Sequence, residues 1–151
     1  MQGFFVPLCY NQRMKKLLTT DKVYMKQSKI VNAGRGVYAS RAIKKDEIIE
    51  RCPVIAVPQH DAANLTESML ITYFYFFGKK KEQSLIALGF GSIYNHTYQP
   101  NAMYKIQQKE KTIDFIALTD IKKDTEITVN YKGEKSKNNT PLWFEAIPRA
   151  K

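Results

Sequence analysis

Three short stretches of the chain gather residue types that can hold a small polar ligand and do chemistry on it. Gly34-Arg35-Gly36 sets two glycines around one residue, so backbone there can approach a ligand without a side chain in the way. The third glycine and following helix of a dinucleotide site are missing, and an ordinary hairpin turn accounts for the same residues. Gly89-Phe90-Gly91-Ser92-Ile93-Tyr94-Asn95-His96, continuing to Pro100-Asn101, embeds Asn and His in an otherwise apolar run. Burying them costs about 1–3 kcal/mol each unless partners are found, and a satisfied structural pair is the plain alternative to a binding role. Glu126-Ile127-Thr128-Val129-Asn130-Tyr131 alternates as a strand and ends in an aromatic hydroxyl, which either packs or faces a reaction. The lone Trp143 can cover a core edge or stack on a planar ligand.

Composition removes several other chemistries. The only cysteines are Cys9 and Cys52 and the only histidines His60 and His96, so no cluster has the count and spacing of a zinc site and no disulfide scaffold is expected. Two idle thiols in a reducing compartment are the expectation. No apolar run reaches the roughly 20 residues of a membrane-spanning helix. Met1 to Leu8 lacks a basic flank and a small-residue cleavage site and reads as part of the fold or an arm, not a signal peptide. An intracellular protein of cytoplasm or nucleus, without membrane contact, is expected. The net charge of +10 raises encounter rates with nucleic acid or acidic partners. The lysines are spread along the chain, so a solvated face competes with a functional basic surface.

The elements that must position these residues are mostly β. Val23–Lys26, Val37–Ala39, Glu47–Arg51, Val54–Val57, Ala102–Gln107, Ile113–Leu118 and Glu126–Tyr131 read as short strands. One helix is expected between the two sets, capped by Asn64 or Thr66, with Leu65, Met69, Tyr73 and Phe76 on one side and Gly78 at its end. Ala42-Ile43-Lys44-Lys45-Asp46-Glu47-Ile48 is echoed by Asp120-Ile121-Lys122-Lys123-Asp124-Thr125-Glu126-Ile127. Each puts a charged turn before a strand, and Asp tolerates the left-handed backbone such turns often need. The boundaries expected are an N-terminal arm over 1–22, one β domain over 23–131, and over 132–151 a polar loop with an aromatic tail that docks back.

In this order and at these separations, the motifs resemble the SET domain, especially the minimal viral and bacterial-type SET proteins. The glycine pair is similar to that family's opening motif, Leu88 to His96 with Pro100-Asn101 to its asparagine-histidine motif, and Glu126 to Tyr131 to its closing motif. The likeness runs from about Lys29 to Tyr131. It implies a mostly β fold of small curled sheets with a knot-like C-terminal crossing, where Asn95, His96 and Tyr131 converge. It also implies a protein-lysine methyltransferase that takes its methyl from S-adenosylmethionine.

On that resemblance, Ala33, Gly34, Arg35 and Gly36 with Asn95 and His96 hold the cofactor, Trp143 stacks on its adenine, and Tyr131 borders the methyl as the catalytic residue. Tyr75, Phe90, Tyr104 and Val129 are the implied lysine-channel residues, with Val129 where many relatives carry Phe or Tyr. Asp46 and Asp124 stand where the family usually has glycine. Relatives with a cysteine cluster after the core bind zinc there; this chain has none, so the Trp143-Phe144 tail is expected to close the site without metal. The partner implied is a lysine-bearing protein, histone-like or otherwise basic, with nucleic acid nearby through the basic surface. The competing class is an inactive SET-like module that binds nucleic acid or a protein partner.

Overall fold

The computed structural model describes residues 19–78, 83–133 and 142. Among the described residues nine strands form two sheets: β1 (Val23–Gln27), β2 (Arg35–Ala39), β3 (Ile48–Val57), β4 (Phe74–Phe77), β5 (Gln83–Ala87), β6 (Asn95–His96), β7 (Ala102–Gln107), β8 (Thr112–Ala117) and β9 (Glu126–Val129). One sheet runs β1-β2-β9-β6 and the other β4-β5-β3-β8-β7. Every pairing is antiparallel except β6 with β9. Alternation along each strand turns Val37, Ile49, Ile113, Phe115, Ile127 and Val129 into one apolar cluster, each at most 1% exposed. Among the described residues no helix is long and apolar enough to cross a membrane.

Two expected strands are one. Glu47–Arg51 and Val54–Val57 join through Pro53 into β3, although proline cannot donate to a ladder. Pro53 is tolerated because partners change there: β8 pairs with β3 up to Pro53, and β5 pairs from Val54 onward.

The single long helix expected over residues 64–78 does not form. The segment gives α1 (Ala62–Thr66), a 3-10 turn at Met69–Thr72, and β4. Ser68 stops α1 from continuing: its backbone is extended and its side chain accepts from Leu70 N–H to cap the next turn. The aromatic run Tyr73 to Phe77 then suits a pleated strand, and pairing of β4 with β5 outweighs the helical spacing. Strands β5 and β6 lie in segments that carried no strand expectation.

The sequence echo is a structural one. Ile43 and Ile121 pair through two backbone bonds of 2.9 and 2.8 Å and are 1% and 3% exposed. Asp46 and Asp124 both adopt left-handed backbone, φ 66° and 62°. Asp46 N–H donates to Ala117 O at the end of β8, and Asp124 N–H to Ala39 O at the end of β2. Each corner thus ties to the end of the strand that pairs with the one it leads into, β8 beside β3 and β2 beside β9.

Two outcomes test this account. Ile121→Ala opens a cavity where the corners meet and should lower unfolding free energy by about 2–5 kcal/mol, read by denaturant titration. Glu47 is held down to about 2 by Arg41, by Lys44 N–H and by Lys22, against the effect of burial. A depressed carboxyl stabilises the fold above its unfolded value and loses that contribution as pH falls through its folded value. Thermal melts between about pH 4.5 and 2 should therefore fall less steeply for Glu47→Gln than for the wild type.

Candidate active site

The parallel pairing of β6 with β9 builds the site. Asn95 lies against Thr128 and His96 against Val129. The turn at Pro100-Asn101 supports it from the side: Asn101 Nδ2 donates to Glu126 O at 2.8 Å, and its Oδ1 accepts Thr128 N–H at 2.9 Å. One amide thereby satisfies backbone that no strand covers. Thr97 N–H donates to Val129 O at 3.1 Å and extends the contact.

Tyr131 follows β9 directly. Its N–H donates to His96 Nδ1 at 3.1 Å, its ring centroid lies 5.2 Å from that of His96, and its hydroxyl donates to Tyr94 O at 2.8 Å. Asn95, His96 and Tyr131, distant in sequence, are therefore brought together.

Glu126 links them to the glycine pair. Its Oε1 accepts from Ser28 Oγ at 2.7 Å and Asn95 Nδ2 at 2.8 Å; its Oε2 accepts from Tyr38 Oη at 3.0 Å and Lys29 N–H at 3.2 Å. Asn95 Nδ2 also donates to Arg35 O at 2.9 Å. Burial alone would raise the Glu126 carboxyl, but the bonds from Asn95, Ser28, Tyr38 and Lys29 N–H outweigh it and hold the group below the usual carboxylate value. A Cβ on Gly36 would collide with this carboxylate, whereas at Gly34 it would meet nothing within 4 Å. Gly36 thus makes room for Glu126. Gly34 has left-handed backbone, φ 70°, and leaves open space beside the chain.

Next to Tyr131 opens a cavity of about 650 Å³, whose lining includes Tyr73, Tyr75, Tyr94, Tyr104, Lys132 and Leu142. Its phenols are anchored by the protein itself. Tyr75 Oη donates to Gly91 O, Tyr104 Oη to Tyr131 O at 3.3 Å, and Tyr94 Oη to Glu50 Oε2 at 2.9 Å. Tyr75 meets Tyr104 edge-on at 4.9 Å, and Tyr94 stacks on Phe115 at 4.3 Å. Burial pushes Tyr131 up to about 12 and raises Tyr75, Tyr94 and Tyr104. All four stay neutral near pH 7, so the walls offer π faces and backbone carbonyls, which suit a cation entering from water.

Tyr75 and Tyr104 stand on this lining; Phe90 and Val129 do not. Val129 shares the inward side of β9 with Ile127 and is 0% exposed, so its side chain fills the core. Phe90 packs against that core and gives its N–H to Glu50 Oε1 at 3.1 Å. Trp143 lies outside the described residues, as does most of the 132–151 tail, but Leu142 is buried and borders the cavity. Sequence reasoning gave no role to Tyr73, Tyr94, Glu50 or Glu126. The one signal for Glu126 was a charge opening a strand whose apolar and polar residues alternate.

Among the described residues no group of His, Cys, Asp or Glu could hold a metal ion. Cys52 is buried, and burial and then the Glu50 carboxylate hold its thiol protonated. The described residues carry fourteen Lys and Arg against eleven Asp and Glu, so most of the +10 belongs to other parts of the sequence.

Comparison with known proteins follows the same residues. The SET domain family matches positions 34–132. A Schizosaccharomyces pombe histone-lysine N-methyltransferase specific for H3 lysine 37 is 29% identical over 112 residues, 74% of this chain and 71% of that protein. A Plasmodium falciparum candidate histone methyltransferase superimposes with a TM-score of 0.62 at 31% identity, covering 80% of this chain and 98% of that one. The Chaetomium thermophilum polycomb repressive complex 2 matches in fold with a TM-score of 0.63 at 21% identity, over 80% of this chain and 16% of that one.

The two glycines should respond differently to alanine. Gly36→Ala forces the Glu126 carboxylate aside and should cost about 1–3 kcal/mol along with its bond to Asn95. Gly34→Ala meets only the left-handed backbone penalty, about 1–2 kcal/mol. Comparing the two by denaturation, with the Asn95 side-chain amide followed by NMR, checks this: only Gly36→Ala should move that amide.

Proposed function

The chain belongs to the SET domain family, and on that premise we propose that it is a protein-lysine methyltransferase using S-adenosylmethionine, with a histone-like basic protein as substrate. The observation that carries this reading is the cavity of about 650 Å³ beside Tyr131, walled by phenols that remain neutral. The named function of the S. pombe relative supports the histone-like substrate.

The residues present fit the cofactor. Gly34 leaves open space beside its own backbone, room for a ligand to approach the chain there. Asn95 commits its Nδ2 to Arg35 O and Glu126, which leaves its Oδ1 to accept from an ammonium such as the cofactor's α-amino group. His96, Tyr131 and Trp143 complete the proposed set. When bound, S-adenosylmethionine supplies a methyl group on a positively charged sulfur, from which an amine can take it.

The chain's own residues then solve a protonation problem. A free lysine side chain has a pKa near 10.4, so only about one in two thousand is neutral at pH 7. The ammonium is drawn to the mouth by π faces. Inside, loss of water disfavours its charge and releases the proton to solvent. Neutral phenols matter here, because a phenolate would hold the amine in its charged form. Tyr131 Oη donates to Tyr94 O, which fixes the direction in which its hydroxyl meets an incoming amine.

The full chain incubated with labelled S-adenosylmethionine and purified core histones should label lysine, with Tyr131→Phe slowing turnover at least about 100-fold. Cofactor binding without labelling of any histone would sink the substrate assignment. The rate should climb about tenfold per pH unit from about 7 to 9 as the amine deprotonates, with no downturn from phenol ionisation, because burial holds Tyr131 up to about 12. A falling rate in that interval would contradict the neutral walls.

A further inference from the structure

Behind the cavity wall, Glu50 of β3 is 8% exposed, and no described Lys, Arg or His pairs with it. Its donors are neutral. Oε1 accepts Phe90 N–H at 3.1 Å and Oε2 accepts Tyr94 Oη at 2.9 Å, while the Cys52 thiol is a third neighbour. The chain makes room for it: Gly89 has left-handed backbone, φ 69°, and a Cβ there would stand 2.5 Å from Glu50 Oε1. A buried carboxylate is costly to keep, and this one holds both ends of the stretch from Phe90 to Tyr94.

That stretch carries the anchors of the cavity wall. Gly91 O accepts the Tyr75 hydroxyl and Tyr94 O accepts the Tyr131 hydroxyl. Two bonds to one carboxylate therefore set where two phenols of the wall can rest. We propose that Glu50 is a positioning residue for methyl transfer, fixing the Gly91 and Tyr94 carbonyls and through them Tyr75 and Tyr131. The inference rests on the cavity being the site of that reaction. Glu50 touches neither reactant; it acts through the loop, and misplacement of a reacting group by about 1 Å can cost about 100-fold in rate.

The test uses the full chain carrying 13C at tyrosine Cζ, with Tyr24 and Tyr38 on the other sheet as internal references. Glu50→Ala should shift the Tyr75 and Tyr131 resonances together with Tyr94 and leave Tyr24 and Tyr38 in place. Glu50→Gln should restore them, since its amide offers an acceptor to Phe90 N–H and a donor to the Tyr94 oxygen. On core histones kcat should fall at least about tenfold in Glu50→Ala and stay within about threefold in Glu50→Gln, with the Kd for S-adenosylmethionine changed less than about twofold in both. A purely structural carboxylate predicts otherwise: Tyr75 and Tyr131 unmoved in a folded Glu50→Ala, or cofactor affinity and kcat lost by the same factor. Either result overturns the proposal. Should Glu50→Ala not fold, Tyr94→Phe takes its place, because it keeps the ring stacked on Phe115 and removes one hydroxyl. There too an unmoved Tyr131 overturns it. A wild type that binds no S-adenosylmethionine sinks the methyltransferase reading instead, and the resonances still decide whether Glu50 positions the wall.

Discussion

A carboxylate drawn in from water must collect donors, and Glu126 collects them from three parts of the chain. Ser28 and Lys29 N–H come from the turn after β1, Tyr38 from β2, and Asn95 from β6. Hydrogen bonds to charged groups are worth about 1.5–3 kcal/mol each, enough to decide which arrangement wins in a fold whose whole margin is small. With Glu126 in place, Asn95 must face Arg35 O, Gly36 must lack a side chain, and β9 must lie between β2 and β6. Tyr131 is then delivered to His96 by chain continuity alone.

The cavity follows a different rule. Its phenols donate to carbonyls and to one carboxylate of the protein, so their orientation is settled before any ligand arrives and little side-chain entropy remains to be lost on binding. Burial keeps them neutral. Attraction for a cation and discouragement of its charge thus come from the same walls, the first from the ring faces and the second from the loss of water.

Much of this was legible in the sequence, and the failures have physical causes. Short β-prone runs bounded by turn residues marked β1, β2, β7, β8 and β9 to within a few residues, although β2, β8 and β9 are buried on both faces. The left-handed turns were visible as Asp46 and Asp124. Leu65, Met69, Tyr73 and Phe76 recur at helical spacing, and nothing local reveals that Tyr75 will reach Gly91 or that Gln83–Ala87 waits as a partner. Val129 was assigned to the channel by resemblance, yet its placement follows from strand parity, which puts it beside Ile127 in the core. Glu50 and Glu126 escaped because a charged residue in a strand pattern usually means an outward face, and their value lies in donors that are 40 or more residues away, or from 31 to 98.

The paired corners carry a cost in time. Ile43 and Ile121 close a loop of nearly eighty residues, and neither Asp46 nor Asp124 gains its backbone acceptor until the end of β8 or of β2 has arrived. Contacts so far apart along the chain repay their closure entropy only when the intervening segments are already ordered. The corners should therefore lock last, joining two half-built sheets in a single slow event that sets the pace at which the protein becomes itself.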